Sequence, residues 1–315
     1  MRRATTTVTC VELKTIRLED VGSTRVVLLS RPHRRNAWTG RMHTEYRWAV
    51  QQAENDPSVK VIVVTGDPEG RAFCVGADSG ALEGHVERGG YDPGTPADLA
   101  MPGYGVHPAF DADFAWHFGL TKPVIAAING WAAGAGFYLM LTSTDIRIAS
   151  EEHAQFKFAL LSQGWVGNGP GASYLTRQIS HADAMRILLT DEAFDAKEAL
   201  RINLINEVVP HAQLMTRAEE IADRIAGMPP VAVRMMKEFA IRFRDIPVSE
   251  AWRVQTLFNT LLTQLTTDGD EGRKAFLEKR PPEFTGGIRP KAPGFPELSA
   301  EERASLDETR RELYG

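Results

Sequence analysis

Two short segments rich in small residues carry the clearest chemical potential in this chain: Ala72-Phe73-Cys74-Val75-Gly76-Ala77-Asp78 and Asn129-Gly130-Trp131-Ala132-Ala133-Gly134-Ala135-Gly136. Each comes after an apolar run of strand character. In the first, the Gly-Ala pair lets backbone N–H groups point into a cavity, and Asp78 is suited to cap a following helix. In the second, small residues permit close backbone approach, and the helix that follows offers free N–H donors at the positive end of its dipole. Two such donors on converging elements make an oxyanion hole, which stabilises a carbonyl oxygen as it takes up negative charge. Glycine turns after strands also serve plain packing. Neither segment has the Lys-Ser or Lys-Thr of a phosphate loop, and the glycine spacing does not suit a dinucleotide fold.

These turns need strands and helices to hold them. Leu13–Leu18 and Arg25–Leu29 read as a hairpin about Gly22, and Gly40–Asn55 has helical spacing that Asp56-Pro57 stops. Val59–Thr65 and Val124–Ile128 are compact apolar runs of the kind buried in a parallel sheet, and Asp145–Ala149 repeats the pattern. Strand, turn and helix alternate to about residue 210. Beyond it only helices are expected, over Ala212–Ala226, Pro230–Arg244, Ser249–Thr267 and Gly269–Lys279. We therefore expect an α/β core over residues 11–210, a helical region over 211–280 that covers a core edge or a subunit interface, and a Pro-rich extended tail over 281–315 in which Ser299 and Glu302 open a final helix. Residues 78–122 contain Gly80, Gly84, Gly89, Gly90 and Gly94 with little periodicity, long enough for a functional loop or lid.

Composition narrows the classes. With 315 residues, 41 acidic against 36 basic and 43% hydrophobic, the chain is globular and mildly acidic, and it lacks the Lys/Arg clustering of a nucleic-acid binder. Two cysteines, Cys10 and Cys74, give no disulfide framework and fit a reduced, cytoplasmic setting, with Cys74 read as a core residue. Pro123–Thr144 carries no charge and approaches the ~20 residues of a membrane span. Asn129-Gly130 splits it into two runs of buried-core length, so no span is expected. The N-terminus lacks the apolar region of a secretory signal.

Taken together, Arg31-Pro32…Asn36-Ala37, the Ala72–Asp78 segment, Lys122-Pro123-Val124-Ile125-Ala126-Ala127-Ile128-Asn129-Gly130, Thr144-Asp145-Ile146-Arg147-Ile148-Ala149 and Phe276-Leu277-Glu278-Lys279-Arg280 resemble the crotonase superfamily of enoyl-CoA hydratases and isomerases over roughly residues 12–285. The resemblance implies a spiral of ββα units with a C-terminal helical region, a homotrimer or dimer of trimers, and an acyl-CoA thioester as partner. Coenzyme A would enter as part of the substrate, with no separate cofactor and no metal. By motif position the oxyanion donors are the N–H groups of Ala77 and Ala135. Coenzyme A would lie along Arg34, Arg35 and Ala37 and the stretch Val75–Asp78, with the two arginines either meeting phosphates or standing as solvated surface charges.

The two glutamates used by the family's hydratases fall on Tyr138 and Leu160, neither of which does carboxylate chemistry. The turn Gly167-Asn168…Ser173-Tyr174 is similar to a dehalogenase branch, whose nucleophilic Asp falls on Gly169. Tyr138 is either a hydrogen-bond donor or weak acid, or an aromatic wall of the pocket. Ser162, Gln163 and Asn168 are further polar candidates near the pocket. His107 and His117, with His85, Asp111 and Asp113, either close over the site as a base and its orienting partner or are solvated loop residues. Trp131 and Trp165 are expected to shape the acyl pocket. The expectation is an acyl-CoA-binding protein of the lyase/isomerase kind with ordinary hydratase activity absent or low; a non-catalytic acyl-CoA binder, or a hydrolase or C–C-cleaving member, is the alternative.

Overall fold

The computed structural model describes residues 13–78, 120–164, 166, 171–290, 299, 301, 303–305 and 308. The chain forms two compact units, Met1–Asp245 and Ile246–Gly315. The helices read together as one C-terminal region therefore fall on both sides of that division.

In the first unit a sheet grows from the expected hairpin. Strands β1 (Ile16–Val21) and β2 (Thr24–Leu29) pair antiparallel. The first strand starts at Ile16 rather than Leu13, and just ahead of it the N–H groups of Lys14 and Thr15 bond the Glu45 carboxylate. β3 (Val61–Gly66), β5 (Val124–Ile128), β7 (Ile146–Ser150) and β10 (Glu207–Val209) add in parallel, giving the order β1-β2-β3-β5-β7-β10. A second sheet, which the sequence reading did not anticipate, has the order β4-β6-β8-β9: β4 (Ala72–Cys74), β6 (Trp131–Ala133) and β8 (Gln155–Lys157) run parallel, and β9 (Phe194–Asp195) pairs antiparallel.

The chain steps between the sheets at each turn of its path. β5 leads to β6 and then helix α2 (Ala135–Thr142), and β7 leads to β8 and then α3 (Gly171–Gln178). This is the ββα repeat of the expected spiral. Alternation of side chains sorts the first sheet's residues onto two faces. Val27, Leu29, Ile62, Val64, Val124, Ala126 and Ile128 join the main core with helix α1 (Gly40–Asn55), which contributes Met42, Tyr46, Ala49, Val50 and Ala53. Val26, Leu28, Val61, Val63, Ile125 and Ala127 face the other way, onto a helix whose residues Leu214, Ala218, Ala222 and Ala226 recur every fourth position. Helices α4 (His181–Thr190), α5 (Ala196–Arg201), α6 (Leu214–Ala226) and α7 (Pro230–Arg242) complete this unit.

The second unit contains α8 (Val248–Leu265) and α9 (Asp268–Glu278). The Asp268 carboxylate accepts from the N–H groups of Thr285 and Gly286, and Thr266 bridges Ile288, so residues 285–288 fold back on the start of α9. Most of the expected tail lies outside the described residues. Arg303 N–H donates to Ser299 O where the final helix was expected.

Candidate functional site

The two small-residue turns meet. Trp38 N–H donates to Gly76 O at 2.7 Å and Asp78 N–H to Trp38 O at 2.8 Å, a parallel bridge that turns the Ala77 N–H away from Trp38. Gly76 has φ of 102° and Gly134 has φ of 49°, both in the region that favours glycine. A Cβ on Gly76 would sit 3.1 Å from Ala133 O, and one on Gly134 would lie 3.4 Å from the Gly76 Cα. Only bare backbone lets the turns approach so closely. Ala135 is the first residue of α2, where a helix has no internal acceptor for its N–H. Among the described residues, no acceptor takes the N–H of Ala77 or of Ala135.

Tyr138 lies one turn into α2, 5% exposed, with its ring 5.3 Å from that of Phe158. The ring also presses on Gly171, where a Cβ would fall 2.2 Å from it. Burial pushes the Tyr138 phenol up to about 12, so it holds its proton at neutral pH. Leu160 is buried in the same core, just ahead of a short 3-10 turn at Leu161–Gln163. That turn is fixed by Asp191, which accepts from Ala159 N–H at 2.5 Å, Ser162 N–H at 2.9 Å and the Ser162 hydroxyl at 2.6 Å. Burial alone would push the Asp191 carboxyl up, but these bonds outweigh it and hold the group below its usual range. The Ser162 hydroxyl is thus spoken for, and Gln163 is exposed. Nothing in the sequence marked Asp191, because an acid directly after a helix looks like any turn residue.

The residues expected along coenzyme A divide between two places. Arg34 pairs with the buried Asp78 at 3.2 Å, as does Arg31 at 2.9 Å, and Arg31 also donates to Ala37 O at 2.6 Å. Val75 is half-buried beside them. Asp78 is therefore held by two guanidiniums, while the helix it was expected to cap falls outside the described residues. Arg35 instead lines a cleft of about 650 Å³ with Arg71, Trp131, His153 and His211. The cleft opens at the N-terminal ends of β4, β6 and β8, where Trp131 begins β6, whereas Ala135 lies beyond the C-terminal end of that strand. Arg71 was not singled out in the sequence. His85, His107, Asp111, Asp113, His117, Trp165, Gly167, Asn168 and Gly169 lie outside the described residues. Among the described residues no group of His, Cys, Asp or Glu is arranged to hold a metal, and no helix is long and apolar enough to cross a membrane.

Comparison with known proteins places this geometry in context. The family described as Enoyl-CoA hydratase/isomerase matches residues 20–287. Carnitinyl-CoA dehydratase from Proteus mirabilis is 33% identical over 280 residues, covering 87% of this chain and 99% of that one. The (E)-benzylidenesuccinyl-CoA hydratase of Thauera aromatica is 32% identical over 271 residues, covering 86% and 99%. A crystal structure of an enoyl-CoA hydratase/isomerase from Mycobacterium paratuberculosis superposes with a TM-score of 0.76 at 35% identity, covering 87% of this chain and 100% of that one. With its alternating ββα path and a match running almost from β1 to the end of the fold-back after α9, the chain belongs to the enoyl-CoA hydratase/isomerase family and has the crotonase fold.

Proposed function

We propose that the protein binds an acyl-CoA thioester and polarises its carbonyl between the N–H groups of Ala77 and Ala135, while ordinary hydration of an enoyl-CoA is absent or slow. The observation that carries this reading is the meeting of two glycine turns, each followed by an N–H without an acceptor among the described residues. Donors already aimed at the place where charge develops stabilise an enolate or oxyanion without reorganising, a contribution of about 3–4 kcal/mol per donor in acyl-transfer enzymes. Hydration needs more: a base to activate water and an acid to protonate the α-carbon. At the two positions where the resemblance puts carboxylates stand a phenol held protonated and an aliphatic side chain. The chemistry left to the site is enolate stabilisation, in an isomerisation, a cleavage or a hydrolysis whose proton carrier lies elsewhere. The apolar Tyr138–Phe158–Leu160 wall also favours a second reading, a pocket that holds an acyl-CoA without turning it over. We further assign the protein to the cytoplasm, as its few cysteines and the free, buried Cys74 suggest, and to a homotrimer or a dimer of trimers.

One experiment with crotonyl-CoA tests the core of this reading. Calorimetry is expected to show binding, isotope-edited infrared spectra to show the thioester carbonyl moved to lower frequency on binding, and ultraviolet absorbance to show no loss of the conjugated double bond at enzymatic rates of ~1–1000 per second. Rapid loss of the double bond would overturn the argument from Tyr138 and Leu160. Absence of binding to crotonyl-CoA and to a panel of other acyl-CoA esters would overturn both readings.

A further inference from the structure

The cleft at the N-terminal ends of β4, β6 and β8 has the features of a second ligand site. Its two arginines occupy matching places. Arg35 follows the 3-10 turn Pro32–Arg34 and Arg71 follows the 3-10 turn Pro68–Gly70; each closes its turn by donating its N–H to the turn's proline carbonyl. Both are in the left-handed region, φ 52° and 49°, where Gly or Asn fits better than a long side chain. Backbone geometry therefore does not account for arginine at either place, and such outliers point toward function.

Asn36 locks the two turns together. Its Nδ2 donates to Ala72 O at 2.8 Å and to Asp67 O at 3.3 Å, and its Oδ1 accepts from Arg31 N–H at 3.0 Å. The frame that presents the two guanidiniums is thus rigid. Neighbouring Arg17, Arg31 and Arg34 are each satisfied by an aspartate. Arg35 and Arg71, in contrast, have no carboxylate or hydrogen-bond partner for their side chains among the described residues. Among the described residues of the cleft the one acid, Glu152, is engaged by the His211 backbone N–H at 2.7 Å and the Ser150 hydroxyl at 3.3 Å. Two free guanidiniums against one occupied carboxylate leave an excess of positive charge facing the cavity.

We propose that this cleft binds an aromatic organic phosphate of mononucleotide size. Planar guanidiniums match a phosphate's oxygens by paired hydrogen bonds, and Trp131 in the cleft lining is the residue type on which an aromatic base stacks. A cavity of about 650 Å³ lies within the range of small-molecule sites. His153 and His211, with ring centroids 4.6 Å apart, also line the cleft, and the His211 Nδ1 is within hydrogen-bond distance of the Ser150 hydroxyl. Strands β4 and β6 run between this cleft and the turns that carry Ala77 and Ala135, and the proposal does not draw on the oxyanion reading.

Calorimetry on the full chain tests it with three probes: AMP, adenosine and inorganic phosphate. AMP is expected to bind at least tenfold more tightly than either adenosine or phosphate. Arg71→Gln is expected to weaken AMP at least tenfold, and Arg71→Glu to abolish AMP binding, with the melting temperature and the affinity for crotonyl-CoA unchanged. Arg71 makes no described side-chain bond, so neither variant removes a structural contact. The proposal is overturned if the wild-type protein binds no AMP, if Arg71→Gln binds it as tightly as wild type, or if phosphate alone binds as well as AMP. It is also overturned if Arg71→Gln weakens crotonyl-CoA in the same proportion, which would make the cleft part of the acyl-CoA site. Failure of crotonyl-CoA to bind at all would count against the oxyanion reading and leave the AMP result to stand by itself.

Discussion

In the function proposed above, Tyr138 takes the position of a hydratase carboxylate, and its surroundings bear on what a phenol there can do. The ring is clasped by Phe158 and Gly171, and burial raises its pKa to about 12 from an ordinary value near ~10. A folded-state pKa above the unfolded one contributes stability that is intact below pH ~10 and is lost as pH rises through the folded value. Tyr46, also raised by burial, adds to the same loss. We expect the urea midpoint of wild type to fall between pH 10 and 12, and Tyr138→Phe to fall less over that window while matching wild type's slope below it. An identical alkaline decline in the two proteins would show that the phenol titrates freely. At this scale the sequence was informative where the proposed site rests on backbone: the glycines at the close approach of the two turns are visible in the chain as small-residue runs. It was silent on side chains whose partners are distant in sequence, such as Asp191 with Ala159 and Ser162, or Arg31 with Asp78.

Elements show the same division by length. Helix α1 falls on the expected residues because its apolar face recurs over sixteen positions, with the Thr39 side chain accepting from Met42 N–H at its start. Strands β3 and β5 were legible as unbroken apolar runs. The second sheet was not, because two- and three-residue strands hold too few positions for an alternation to register, and its strands read only as the ends of turns. Yet that sheet determines which residues share a site: its C-terminal ends carry Ala77 and Ala135 and its N-terminal ends carry Arg71 and Trp131. The turn after β8 depends on Asp191, whose removal strands two N–H groups and a hydroxyl. Asp191→Ala is expected to cost about 1–3 kcal/mol of stability at neutral pH, measured by urea unfolding. Because the folded-state pKa of Asp191 lies below its unfolded value, its contribution is present above pH ~4 and disappears as pH falls through the folded value, so the gap between wild type and variant should close in acid. A gap that persists unchanged to pH 2 would mean that lost packing, and not the charged hydrogen bonds, holds the turn.

For the whole molecule, the second unit poses the question. Helix α8 is eighteen residues long and buries none of them, although it carries Val248 at 84% and Trp252 at 70% exposure, with Leu257, Leu261 and Leu265 also open. Helix α9 exposes Phe276 at 83% and Leu277 at 73%. Apolar area of this extent is seldom left to water in a soluble monomer, and burying it returns about 25 cal/mol per Å². Helical spacing was legible here but not which face would go uncovered, since an amphipathic pattern is the same whether the cover is the helix's own chain or another. Self-association through closed symmetry covers such a surface without a foreign partner. Sedimentation equilibrium is expected to give three or six times the 34.8 kDa chain mass, in keeping with the proposed trimer or dimer of trimers. The double variant Trp252→Glu/Phe276→Glu is expected to shift the population to single chains while the core of the first unit, which contains neither residue, keeps its helical and strand content by circular dichroism. A wild-type monomer at micromolar concentration would sink the trimer, and a double variant that stays trimeric would show that the assembly does not use this face of α8 and α9.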